Sequence, residues 1–228
     1  MNTFKLIAAF LLFSVSALGQ NPPPGPDDRK PSKDLVEKTD ERTPKGWRAY
    51  EFDVDETHRL SFILPAADVE QAEAAYELPF DGKTLRVNRR LFMVSVFPDS
   101  SGNRPPGLPL GTFHIARDRH PSPSLATLDE NQRLKLPGAQ ADVIAAEIRR
   151  RFKEVGLREP TFGRDEPQVV RENGVTRYEQ KFNSNGDTLH IRVMVVGETL
   201  VWANALIIHW TKSDESETFF SHIKVSER

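Results

Sequence analysis

Residues 175–209 read VTRYEQKFNSNGDTLHIRVMVVGETLVWANALIIH, and their pattern decides the architecture. Three runs, 175–183, 188–196 and 200–209, alternate apolar with polar residues, the two-residue period of a β-strand. Turn signals separate them at Asn185–Gly186 and Gly197–Glu198; Asn–Gly suits a type I′ turn and Gly–X a type II′ turn. Folding about both turns puts Tyr178, Phe182, Leu189, Ile191, Val193, Val195, Leu200, Trp202 and Leu206 on one face. The other face sets Glu179 across from Arg192 and Lys181 across from His190. Across the next pairing, Arg192 meets Ala203 and His190 meets Ala205. The third run is apolar on both faces, with Val201, Ala203, Ala205 and Ile207 on the second, so it belongs inside a sheet.

Working upstream, Asp81–Gly82 marks another hairpin, because both central positions of a type I′ turn take positive φ. Its register sets Leu78 opposite Leu85, Tyr76 opposite Val87, Glu77 opposite Arg86 and Glu73 opposite Arg90. One face is apolar and the other ion-paired, each pair contributing roughly 0.2–1 kcal/mol. That consistency predicts strand from about Glu73, although the alanines and glutamates of residues 66–75 favour helix locally. Residues 91–97 continue as strand. Tyr50, Phe52 and Val54, then residues 60–64, supply two more at the start of folded sequence near Trp47.

Residues 98–140 hold seven prolines and are expected to form a long irregular insertion, a length of loop that is usually functional or disordered. They carry Phe113, His114, Ile115 and the charged run Arg117 to His120, the first place to seek a recognition surface. The best helix is predicted over residues 142–155. Ile144, Ile148, Phe152 and Val155 fall on one stripe, and Gly156 can end it. Its basic flank, Arg149 to Arg151 with Lys153, is interleaved with Glu147 and Glu154 and reads as solvated surface. Thr211 with Asp214 resembles a capping box opening a last helix, with Phe219, Phe220 and Ile223 turned inward.

Residues 1–19 have the layout of a secretory signal peptide: Lys5, a short apolar run, then Ala17 and Gly19 ahead of a cut before Gln20. The run is too short to span a bilayer comfortably, so no stable membrane span is expected after cleavage, and the location is secreted or periplasmic. Residues 20–45 contain Pro22, Pro23, Pro24, Pro26, Pro31 and Pro44 among charges, the composition of a disordered, extended tether. Residues 46–228 then form a single domain.

Basic and acidic residues number 31 and 33, and cysteine is absent. The charge balance argues against a nucleic-acid partner. The missing thiols exclude disulfide scaffolds, thiolate metal sites and cysteine nucleophiles. No nucleophile elbow, metalloprotease helix, P-loop, dinucleotide or calcium-loop pattern occurs. The six histidines are scattered, so no metal site, cofactor or catalytic residue is assigned. Candidate binding residues are His190, Arg192, Ala203 and Ala205, where the alanines leave room above the sheet for a helix or a ligand. Phe113 and His114 of the insertion complete the set.

Three segments together resemble the PsbP-like group: S-F-x-x-P (Ser61, Phe62, Pro65) leading to M-V-S-V-F (Met93 to Phe97), R-V-M-V-V-G-E-T-L-V-W (Arg192 to Trp202), and a closing F-F-S-H-I-K-V (Phe219 to Val225). The group includes the extrinsic photosystem protein PsbP, DcrB-type envelope proteins and many exported bacterial proteins. Trp202 stands where tyrosine is usual, and Ile223 replaces a phenylalanine of the ending. The resemblance implies an α+β fold, a PsbP-like α/β sandwich with one antiparallel sheet of about six to seven strands and helices packed across it. It implies binding or assembly factors without a shared catalytic centre. The expected function is an exported, non-enzymatic binding or assembly accessory of the bacterial envelope, with another envelope protein as partner. The alternatives are an exported hydrolase with its site at the 98–140 loop, or a small-ligand carrier using the Ala203/Ala205 face.

Overall fold

The structure, a computed structural model, describes residues 35–96, 111–122, 124–154, 163–172, 175–184, 187–207 and 214–228. The expected signal peptide, most of the tether, residues 98–110 of the insertion, the helix end at Gly156, the Asn185–Gly186 turn and the capping Thr211 lie outside the described residues.

The meander at the heart of the sequence forms as its alternation predicts. Strands β9 (Val175–Ser184), β10 (Asp187–Val196) and β11 (Thr199–Ile207) pair antiparallel, with Glu179 opposite Arg192 and Arg192 opposite Ala203. The Asp81–Gly82 hairpin likewise joins β4 (Glu70–Phe80) to β5 (Lys83–Val96), with Glu77 opposite Arg86 and Glu73 opposite Arg90. Both turn residues take positive φ, 49° at Asp81 and 72° at Gly82. Strand formation therefore overrides the helix propensity of the alanines in β4, because Ala72, Tyr76, Leu78 and Phe80 are claimed by the core and Glu73 by its ion pair with Arg90.

The expected fold class does not hold. In place of one six- to seven-stranded sheet with helices across it, the described chain forms two sheets, one of four strands and one of eight. The small sheet runs β1 (Val36–Lys38), β2 (Trp47–Asp53), β3 (His58–Pro65), β12 (Lys224–Glu227). The large sheet runs β4, β5, β6 (Gly111–Ser122), β11, β10, β9, with β7 (Gly163–Arg164) and β8 (Gln168–Glu172) both on the far side of β9. Two α-helices appear among the described residues, α1 (Glu130–Glu154) and α2 (Asp214–Ser221).

The layers follow from alternation in the central strands. One face of the large sheet, including Leu91, Ala116, Trp202 and Ile191, packs under α1 through Leu136, Ile144, Ile148 and Phe152. The other face, with Phe92, Phe113, Ala203 and Met194, is covered by the small sheet through Phe52 and Phe62 and by α2 through Phe219. Phe52 meets Phe92 with ring centroids 5.4 Å apart, and Trp47 meets Phe113 at 5.5 Å. A sheet apolar on both faces needs a cover on each. Here the second cover is mostly another sheet.

Two further expectations are corrected. Residues 98–140 are not wholly irregular: β6 lies between β5 and β11 in the middle of the large sheet, and α1 starts twelve residues before the predicted Asp142. In β6 the alternation was obscured because Thr112, His114, Asp118 and His120 are polar yet buried. In α1, Pro137 sits inside the helix, a position that costs a backbone hydrogen bond, while its neighbours Leu136 and Ala141 are fully buried. Within the stretch expected to be tether, β1 pairs with β2 and Leu35 packs on the core.

Candidate functional site

The sequence-predicted binding group closes on itself. Arg192 donates from Nε to Glu179 Oε1 at 2.7 Å and from Nη1 to the Phe220 carbonyl at 2.6 Å. His190 stacks on the Phe220 ring, 3.7 Å between centroids, and its Nδ1 lies 3.3 Å from Ser216 Oγ. Burial pushes the Glu179 carboxyl up, but the neighbouring His190, Arg192 and Arg177 outweigh it and hold it at about 2. Burial lowers both His190 and Arg192 despite that carboxylate. A cation on the last turn's carbonyl is the favourable arrangement for a helix C-terminus. The group thus clamps α2 onto the sheet.

The room above Ala203 and Ala205 is occupied. Both are fully buried in the cluster that contains Phe219 and Phe220, and Phe113 is packed against Phe219 at 5.4 Å. His114 follows Phe113 in the strand and therefore points to the opposite face, under α1. There burial, with Arg89 nearby, pushes its imidazole down to about 3. The structure brings five of the six predicted residues to one face and leaves His114 on the other.

Sequence reasoning missed a second polar centre, beneath α1. Fully buried Asp118 accepts from Arg89 Nε and Nη2 at 2.8 Å each, from Tyr76 Oη at 2.9 Å and from Trp202 Nε1 at 2.9 Å. Arg89 also donates to Tyr76 Oη, and its guanidinium lies over the Tyr76 ring at 4.4 Å and the Trp202 ring at 4.6 Å. Gln140 of α1 accepts from Tyr76 at 3.3 Å. Burial and then Asp118 push the Tyr76 phenol well above its ordinary value. The available signal was the alternation Arg117, Asp118, Arg119, His120, which in a strand sends carboxylate and imidazole one way and both arginines the other.

Those two arginines build the third feature, a cleft open to solvent at one end of the sandwich. Arg117 Nη1 donates to the Asp53 carbonyl at 2.5 Å and Arg119 Nη2 to the Val54 carbonyl at 3.5 Å, so β6 reaches around the end of β2. The cleft encloses about 370 Å³ between these residues and Val36, Lys38, Glu51, Phe52, Asp53 and Arg59. Its carboxylates already have partners. Glu51 lies 3.3 Å from Lys38 and 3.6 Å from Arg59, while Asp53 lies 3.0 Å from Arg59 and 3.4 Å from Arg228. The cleft end is fixed by the β2–β3 turn, where Asp55 accepts from the backbone of Thr57 at 2.8 Å and of His58 at 2.7 Å. Gly197 of the β10–β11 turn abuts this carboxylate: φ is 57°, and a Cβ there would lie 2.9 Å from Asp55 Oδ2. Among the described residues, no cluster of histidine and carboxylate side chains is arranged to hold a metal ion.

No family model matches the chain, and no curated protein matches its sequence. Among solved structures it is similar to the solution structure of cyanobacterial PsbP from Synechocystis sp. PCC 6803, at 13% identity. The likeness covers 92% of this chain and 99% of that one, with a TM-score of 0.38. A similarity at that level is one of outline and supports no inference about chemistry.

Proposed function

We propose that the chain is an exported, non-enzymatic binding or assembly-accessory domain of the bacterial envelope, presented on a proline-rich N-terminal segment. One observation carries the reading. Most of the strongly perturbed titratable groups are consumed by packing, Glu179 in the clamp on α2 and Arg89 and Tyr76 around Asp118, whereas Arg117 lines the cleft. Groups spent in this way stabilise the fold rather than act on a substrate. What faces solvent is a charged cleft at the sandwich end, the kind of feature that recognises a partner. The N-terminal layout of charge, apolar run and small-residue exit supports export. No helix among the described residues is long and apolar enough to cross a membrane.

The test is capture from an envelope extract with the tagged protein after in-cell crosslinking, alongside the mass of the mature chain. The expected result is specific enrichment of another envelope protein and an N-terminus at Gln20. Failure to enrich any partner, together with hydrolysis in an activity screen, would overturn the reading.

A further inference from the structure

Through most of the molecule an arginine near a carboxylate is satisfied by it: Arg59 by Asp53, Arg90 by Glu73, Arg150 by Glu147, Arg192 by Glu179. Arg117 and Arg119 differ. They stand two residues apart on β6, hence on one face, and among the described residues their hydrogen bonds go to main-chain oxygens. A guanidinium carries five N–H donors, so each keeps most of its fork for something else. Arg90 lies directly across the ladder from Arg117, so like charges crowd this end of the sheet. Burial, then repulsion from Arg119 and Arg90, pulls Arg117 down to about 10.

The cleft supplies the room. Its lining holds four cationic side chains against two carboxylates, a surplus of two positive charges in about 370 Å³. That volume lies in the range of small-molecule sites. A carboxylate brings one negative charge and two coplanar oxygens, whereas a phosphate-type dianion brings two charges and oxygens in several directions, the better match to two guanidinium forks and a surplus of two positive charges. We propose that this cleft is a binding site for a phosphate-type dianion, with Arg117 and Arg119 as its paired ligands. The ligand is either free phosphate or the phosphoryl group of a small monoester. In the second case Glu51 and Asp53 at the rim accept from the hydroxyls of the alcohol portion. The site lies in the same charged cleft as the proposed function and deepens that reading, but phosphate titration and partner capture are separate measurements, so failure of one is distinguishable from failure of the other.

Isothermal titration of the full chain at pH 7.5 and low salt tests the site, using inorganic phosphate, glycerol phosphate, and sodium chloride matched for ionic strength. Saturable one-site binding is expected for the phosphates, with a Kd below about 1 mM. Arg119→Gln alone should weaken it at least threefold. Its side chain is exposed and its hydrogen bond long, so the fold is retained, which circular dichroism checks. Arg117→Gln/Arg119→Gln should abolish binding, and Lys83→Gln, a surface cation on the β4–β5 hairpin, should leave it unchanged. Tighter binding of the ester assigns the monoester as the ligand source; tighter binding of inorganic phosphate assigns the free ion. Heats no larger than the chloride control, or binding unaltered by Arg119→Gln, would overturn the proposal.

Discussion

Asp118→Asn is the sharpest probe of the interior. The side chain is fully buried and accepts four hydrogen bonds, two of them from Arg89, whose side chain is itself only 13% exposed. Asparagine keeps the size but removes the charge, and its amide presents a single acceptor oxygen to four donors. Arg89 is then a buried cation without a counter-charge, held between the Tyr76 and Trp202 rings. Removing one partner of a buried pair costs about 3–5 kcal/mol, because the other charge is left desolvated. Against a total stability of about 5–15 kcal/mol, that is about a fifth or more of the whole. Urea unfolding followed by tryptophan fluorescence reads the loss directly. With a slope of about 2 kcal/mol per molar, the midpoint should fall by roughly 2 M. Arg89→Met alone should also destabilise, and the double variant should cost less than the sum, with a coupling of about 1–3 kcal/mol. A loss under about 1 kcal/mol for Asp118→Asn, or additive singles, would refute the network as the anchor between β4, β5, β6 and β11.

Two further outcomes follow from the same interior. Asn204 is fully buried in β11, and among the described residues neither atom of its side-chain amide has a hydrogen-bond partner. An unmade buried hydrogen bond costs about 1–3 kcal/mol, so Asn204→Leu should be neutral or stabilising in urea, and a clear loss would contradict the geometry. Burial holds His114 at about 3 and lowers His190 and His120. Each binds its proton more weakly folded than unfolded, so stability should fall as pH drops below the ordinary imidazole value of 6.5, by up to about 1.4 kcal/mol per pH unit for each group. Glu179, held at about 2 against an ordinary 4.5, adds its loss only below pH 4.5. Urea midpoints between pH 6.5 and 4.5 therefore read the histidines, opposed by Glu215, whose carboxyl burial raises. His114→Leu should flatten that slope, and an unchanged slope would contradict its buried neutral state.

Local chemistry made much of the sheet legible in advance. Asp81–Gly82 and Gly197–Glu198 demand tight turns, and once a turn is set the two-residue period assigns every partner, down to Glu73 with Arg90 and Glu179 with Arg192. The inward aromatic pair of α2 and the interior position of β11 were legible for the same reason, since apolar residues on both faces require cover on both. Three things were not. Strand β6 hid because its buried positions are polar, and they tolerate burial through partners such as Arg89 and Trp202 that arrive from other strands. The α1 start hid behind Pro137, whose local penalty is overcome by burial of Leu136 and Ala141.

The strands near Tyr50 and residues 60–64 were legible, but not that they form a second sheet, which β12 joins from the far end of the sequence. Alternation says that a face is apolar, never what will cover it. The same limit governs the candidate sites. That Glu179, His190 and Arg192 share a face follows from pairing rules within one meander. Only the tertiary structure fills the space above them with α2, and only it carries Arg117 and Arg119 to the end of β2. Periodicity is a local property of the backbone, whereas what lies over a side chain depends on contacts between residues far apart in sequence.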